Sequence, residues 1–176
     1  MCKVWAHTNI SSKRKLDVFN ACVISKLMYC LDTEWLNEAE RRKLDAFHAR
    51  SLRQIAGIKA SYYSRISNGV VRGVFGVTKL SHTLLHHQLK LLGKIARQDD
   101  SNILRRIVFE DGSIDLRPLS SKRRRGRPRK AWAPELYAIA KRIAVTSQNL
   151  KNLWANSATA REGWNRAVLQ YCANLA

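Results

Sequence analysis

Lys122-Arg123-Arg124-Arg125-Gly126-Arg127-Pro128-Arg129-Lys130 sets seven cations in nine residues. Gly126 and Pro128 disfavour a helix here, so the run reads as an extended arm. Guanidinium groups on such an arm can follow phosphates or enter a narrow, electronegative groove. The plainer reading is a solvated charge run or a nuclear-localisation signal. Lys13, Arg14 and Lys15 form a second, smaller basic cluster with no acidic residue before Asp17.

Other residue types capable of chemistry are less persuasive. His82, His86 and His87 stand at i, i+4 and i+5, and an i,i+4 histidine pair can bind a metal. With neither an HExxH pattern nor a third ligand nearby, a polar surface role is expected and no metal site is assigned. Asp99-Asp100 is the kind of acidic pair that holds magnesium in polymerases. Those pairs follow an apolar strand, whereas this one follows Arg97-Gln98 at a helix end, so a loop or cap role is expected. Cys2, Cys22, Cys30 and Cys172 show no CxxC and no metal-type spacing, and read as reduced, mostly buried thiols. Without a secretory apolar segment, a reducing compartment follows. No nucleophile elbow, phosphate-binding loop or catalytic carboxylate pair appears. The expectation is a protein that is not an enzyme, with no cofactor and no small-molecule substrate.

Charge is the outlier. Thirty-two Lys and Arg against 13 Asp and Glu give +19 over 176 residues. Residues 1–88 carry 14 basic and 6 acidic groups, and residues 89–176 carry 18 and 7. The globular part is therefore basic in itself, which favours a body embedded in polyanion over a neutral domain with a basic tail. Nucleic acid is the first candidate partner and an anionic membrane the second. No apolar run approaches the ~18–20 residues of a membrane span, so no membrane partner is expected. With 45% hydrophobic residues, the chain can bury a real core.

The elements that position these residues read as helices almost throughout. From Ser12, a plausible N-cap, Leu16, Phe19, Val23, Leu27 and Cys30 recur every three to four residues. Asn37 and Glu40 have capping-box spacing, Leu44, Phe47, Ser51 and Ile55 line one face, and Gly57 sits where a C-cap glycine belongs. A shorter helix from Ser67 carries Val70, Val71, Val74 and Phe75. Ser81 is placed to cap a longer one with Leu84, Leu85, Gln88, Leu89, Leu92 and Ile95. A brief helix after Ser101 carries Ile103, Leu104, Ile107 and Val108. Residues 110–130 then lose periodicity and gain Gly, Ser, Pro and Arg, as a linker does. Trp132, Leu136, Ile139 and Ile143 resume helical spacing, and two short helices near 149–154 and 157–171 end the chain. Sustained period-two alternation is missing, so the class is all-α. Trp5, Trp35, Trp132, Trp154 and Trp164 fall mostly on apolar faces and are expected to pack in cores, with base stacking the alternative. Trp132 is expected to anchor the end of the basic arm.

Within the arm, Arg125-Gly126-Arg127-Pro128 looks like an AT-hook, a reader of the A·T-rich minor groove. One hook is a weak reader, and hooks usually sit in disordered tails, whereas helical patterns flank this run on both sides. A second, longer resemblance absorbs it. Lys13 to Tyr29, Glu34-Trp35-Leu36, Leu44-Asp45-Ala46-Phe47, Ser51 to Ile58, Gln88 to Arg97, Arg125-Gly126-Arg127-Pro128 with Trp132, and Arg161 with Trp164 resemble, in order, signatures of the region following the catalytic core of LINE-type (non-LTR) retrotransposon reverse transcriptases. The similarity runs from about Trp5 to about Val168. It implies a thumb-like helical bundle over 1–109, a basic linker over 110–131 and a small C-terminal helical subdomain over 132–176. In the family such a region grips template–primer or RNA. The chain departs from the pattern at Cys30, where the family has glycine, and at Lys94, where it has histidine. The fingers, palm and catalytic aspartates, an endonuclease domain and a CCHC knuckle are missing from this sequence, so reverse transcription by it alone is not expected.

Two functional expectations follow. The first is a domesticated, non-catalytic RNA-binding protein in a large ribonucleoprotein, such as an organellar (mitochondrial) ribosome. It starts at a methionine and would hold rRNA phosphates through Lys122, Arg123, Arg124, Arg125, Arg127, Arg129 and Lys130, with Lys13, Arg14 and Lys15. Neighbouring proteins of that assembly are the other expected partners. The second is the C-terminal nucleic-acid-binding piece of a retrotransposon polyprotein, acting in the nucleus; a chromatin AT-hook protein is a third. The acid-free residues 1–16 resemble a mitochondrial presequence, but the family resemblance at Trp5 and Lys13 places them in the body of the fold.

Overall fold

The computed structural model describes residues 9–118 and 131–175. Among them it is all-α: α1 (Ser12–Phe19), a π-helical turn (Asn20–Ile24), α2 (Ser25–Met28), a 3-10 turn (Leu31–Thr33), α3 (Glu38–Ala56), α4 (Ser61–Ser64), α5 (Asn68–Phe75), α6 (Leu80–Ala96), α7 (Ile103–Val108), α8 (Trp132–Ala144), α9 (Ser147–Leu153) and α10 (Ala158–Ala173). The chain forms two compact units. The division falls inside α6: residues up to Leu84 belong to the first unit and residues from Leu85 to the second, which also takes in Asp32–Trp35. The expected boundaries at 109 and 131 therefore do not separate compact bodies.

In the first unit, Ser11 rather than Ser12 caps α1, accepting from the Arg14 amide. The π turn admits one extra residue, and that insertion moves the buried face. Phe19 is buried, but Ile24, Met28 and Leu31 then pack toward Leu44, Leu80 and Leu84. The expected sequence Phe19, Val23, Leu27, Cys30 is thus displaced by one position after Phe19. The Ser25 hydroxyl donates to the Ala21 carbonyl within the same stretch, a competing bond of the kind that perturbs helices.

The capping box of α3 is present: the Asn37 amide donates to Glu40 Oε2 at 2.7 Å and the Glu40 amide to Asn37 Oδ1 at 2.9 Å. Gly57 ends the helix with φ +68°, a left-handed conformation that glycine adopts without a Cβ penalty. The buried face of α3 is Leu44, His48, Leu52 and Ile55, while Phe47 stays 42% exposed. The His48 ring stacks on Phe19 at 6.2 Å, and burial lowers its pKa. α5 buries Val71 alone of its valines and leaves Val70 and Val74 exposed. At the start of α6, Asp45 does the capping expected of Ser81: its carboxylate accepts from the Ser81 amide at 2.9 Å and hydroxyl at 2.7 Å.

The second unit gathers Leu85, Leu89, Leu92 and Ile95 of α6 with Phe109, Leu136, Tyr137, Leu150, Trp154, Trp164 and Val168. Trp154 is the hub, meeting Phe109 at 5.7 Å, Tyr137 at 6.2 Å and Trp164 at 5.5 Å between ring centroids. Fully burying each such side chain contributes roughly 1.5–3 kcal/mol. Trp164 is the largest fully buried side chain among the described residues. Its indole N–H donates to the Leu89 carbonyl at 3.1 Å, over a spot on α6 that Gly93 leaves open. The strap Asp32–Trp35 is held by Gln88, donating to Glu34 O at 2.6 Å, and by Trp132, donating to Asp32 O at 2.7 Å. Trp132 thereby ties the start of α8 to the strap; the basic arm whose end it is expected to anchor lies outside the described residues.

Residues 110–118 are built into this unit rather than starting a linker. Phe109 and Leu116 pair as an antiparallel bridge, and the Arg117 amide donates to Val108 O at 3.0 Å. The buried residue of α7 is Arg105, with Ile103, Leu104 and Ile107 left exposed, the reverse of the expected apolar face. Hydrogen bonds explain the inversion. Arg105 donates to Asp100 Oδ1 (2.7 Å), Ala96 O (2.6 Å) and Ser113 O (2.9 Å), tying three segments together.

The Tyr137 hydroxyl donates to Asp115 Oδ1 at 3.0 Å. Burial, then this bond, push the phenol pKa up to about 12. A phenol whose pKa rises on folding contributes stability that is complete below its unfolded value of about 10. That contribution fades as pH climbs through the folded value. Thermal melts should show the midpoint falling between about pH 10 and about 12, and Tyr137→Phe should flatten that fall. An identical slope in the variant would remove Tyr137 from the effect.

Candidate nucleic-acid interface

Seven of the predicted phosphate ligands, Lys122, Arg123, Arg124, Arg125, Arg127, Arg129 and Lys130, lie outside the described residues. Lys13 and Arg14 are exposed in the first turn of α1. Lys15 is not: it is 8% exposed and shares the inward face of α1 with Phe19, four residues on. That placement corrects its assignment as a phosphate ligand.

Two further arginines are committed internally. Arg53 is buried and donates to Asn68 Oδ1 (2.9 Å), Ile66 O (2.6 Å), Ser64 Oγ (3.3 Å) and Lys59 O (3.4 Å). Its fork folds residues 58–68 back over the end of α3. Arg105 does the same for residues 96–113. A lysine could not reproduce either planar fan of donors. The loop that Arg53 organises presents Tyr62 and Tyr63, each 75% exposed, with their rings edge-to-face at 5.3 Å and Arg65 over the Tyr62 ring at 5.7 Å. Exposed tyrosines are able to stack on bases; the sequence reading considered only tryptophans for that role.

The second unit carries a basic groove that sequence reading missed altogether. Lys90, Lys94 and Arg97 follow one another along α6 and just beyond it, and Arg161 and Asn165 stand one turn apart on α10. With Gln98, Asp99 and Asn156 they line a groove of about 380 Å³. The only sequence signal was the i, i+4, i+7 spacing of Lys90, Lys94 and Arg97; the approach of Arg161 is a product of tertiary packing.

Asp100 is a structural carboxylate. The Arg105 guanidinium and the Gly112 amide, at 2.7 and 3.2 Å, hold its pKa below the usual carboxylate range, so its part is the loop role read from the sequence. The imidazoles of His82 and His86 have lowered pKa values, burial being the main cause in both. Among the described residues, no three His, Cys, Asp or Glu side chains gather as a metal site. Cys172 is buried and its thiol is pushed up to about 11 by burial. Cys22 and Cys30 are exposed instead of buried; Cys30 lies in the turn after α2 with φ +61°. No described helix is long and apolar enough to cross a membrane.

These observations define a class: a protein all-α among the described residues, forming two helical units, in a chain of net charge +19. The chain matches no family model, no curated protein and no solved structure.

Proposed function

We propose that the protein is a non-catalytic RNA-binding component of a large ribonucleoprotein, derived from the post-catalytic region of a reverse transcriptase. The observation that carries this reading is a charge of +19 spread over both halves of the chain. A compact body with that excess is relieved of self-repulsion by a polyanion. Lys122, Arg123, Arg124, Arg125, Arg127, Arg129 and Lys130 are the proposed phosphate ligands of the arm, joined by Lys13 and Arg14. Binding is dominated by phosphates, depends steeply on salt and follows RNA shape rather than base sequence. A mitochondrial ribosome is the assembly to examine first.

The test is fluorescence anisotropy with labelled structured RNA, mixed-sequence duplex DNA and A·T-rich duplex DNA across a salt series, together with sedimentation of the endogenous protein. RNA should bind at least as tightly as either duplex, and the protein should travel with ribosomal subunits through a high-salt wash. Recovery only with chromatin would favour the second reading, a retrotransposon polyprotein fragment acting in the nucleus. The sequence signatures shared with LINE-type reverse transcriptases support both readings.

A further inference from the structure

Arg97, half-buried, differs from the two buried arginines. Arg53 and Arg105 spend their donors on carbonyl, amide and carboxylate oxygens. Arg97 Nη1 is enclosed, yet has no hydrogen-bond partner among the described residues. Leaving a charged donor desolvated and unpaired is costly, so such groups ordinarily find an acceptor. No carboxylate supplies one: no ion pair is found at Lys90, Lys94, Arg97 or Arg161 among the described residues, and Asp99 is the sole acid in the groove lining. Like charges are instead crowded together. Burial and the nearby Arg161 both press the Arg97 pKa downward.

A groove that assembles four cations, one of them carrying an unpaired guanidinium nitrogen, is built for an anion. Its neutral lining, Gln98, Asn156 and Asn165, can accept as well as donate. That suits a group carrying both oxyanions and ribose hydroxyls better than a simple carboxylate. We infer that the groove formed by Lys90, Lys94, Arg97 and Arg161 seats a backbone phosphate of RNA. This rests on the RNA-binding reading and adds to it a particular seat, remote in sequence from residues 122–130. Lys90 and Lys94 sit on α6, whose Leu89 and Leu92 are buried in the second core, and Arg161 is exposed on α10.

The experiment uses the full chain. Arg97→Gln/Arg161→Gln is compared with Lys43→Gln/Arg50→Gln, a pair of exposed cations on α3 that removes the same charge. Affinity for a labelled structured RNA is measured across salt. The groove variant should bind about tenfold more weakly or worse, as expected for lost charge-assisted bonds, and the slope of log K against log salt should fall by about 2. The α3 variant should lose no more than about threefold at matched salt. Because Arg97 is partly enclosed, Arg161→Gln alone, at an exposed position, is the safeguard should the double variant fold poorly; it should reduce the slope by about 1. Equal losses in the groove and α3 variants would overturn the seat while leaving RNA binding intact. If wild type binds no RNA, yet pyrophosphate raises its melting temperature and does so only with Arg161 intact, the groove takes a phosphate from another source and the RNA assignment falls.

Discussion

Gly93→Ala should destabilise the protein by about 3 kcal/mol or more, although alanine in place of a helix-interior glycine ordinarily gains up to about 1 kcal/mol. A Cβ built on Gly93 falls 2.7 Å from Trp164 Cδ1 and closer still to Nε1, separations that cannot be relieved by turning a flexible tip. The indole is fully buried and bonded to Leu89 O, so it must move as a plane, and it would carry Trp154 with it. Overpacking of this kind costs roughly 1–3 kcal/mol, and loss of the tryptophan's seat approaches the 3–5 kcal/mol of removing a large aromatic from a core. The double-mutant cycle makes the mechanism testable. Trp164→Ala alone should cost about 3–5 kcal/mol. In that background Gly93→Ala should become neutral or stabilising by up to about 1 kcal/mol, a reversal of sign that reports direct coupling. Urea denaturation of the four proteins measures it, and a Gly93→Ala midpoint equal to wild type would refute the contact.

The same pair shows what the sequence disclosed and what it withheld. Gly93 and Trp164 each stood out in a motif, 71 residues apart; nothing in either motif said that one leaves room for the other. Where a helix obeys its 3.6-residue period and faces a core along its length, periodicity alone sufficed: Leu84, Leu85, Gln88, Leu89, Leu92 and Ile95 are all buried as read. Where the period is interrupted, it misled. One extra residue in the Asn20–Ile24 turn moved the inward face from Val23 and Leu27 to Ile24 and Met28. On α7 the hydrogen-bonding reach of Arg105 outweighed three apolar residues, because three segments converge on its donors and a six-residue helix has little apolar area to set against them. Charge composition flagged an excess of cations, but not which of them face outward. Lys15, Arg53 and Arg105 are turned inward, and Arg97 and Arg161 meet only through packing.

Arg125→Ala/Arg127→Ala/Arg129→Ala should weaken RNA binding on the order of 10²-fold near physiological salt, and should do so to a similar extent for every RNA sequence tried. Each cation that neutralises a phosphate releases condensed counterion, with a slope contribution of about 0.7 on single strands and 0.9 on B-DNA. Losing three such contacts should therefore flatten the salt slope by about 2–3. Guanidinium groups form bidentate contacts with phosphate, which a lysine ammonium does not. None of the three replacements removes an apolar side chain, and the melting temperature without RNA should stay within a few degrees of wild type. The AT-hook reading makes the opposite forecast, since Arg125-Gly126-Arg127-Pro128 would then act by entering an A·T-rich minor groove. In that case the loss would be confined to A·T-rich duplex DNA and RNA affinity would hold. Measuring all three ligands against one variant decides between phosphate tracking and groove reading, because only the first predicts that the ratio of affinities among RNA sequences is preserved while every affinity falls.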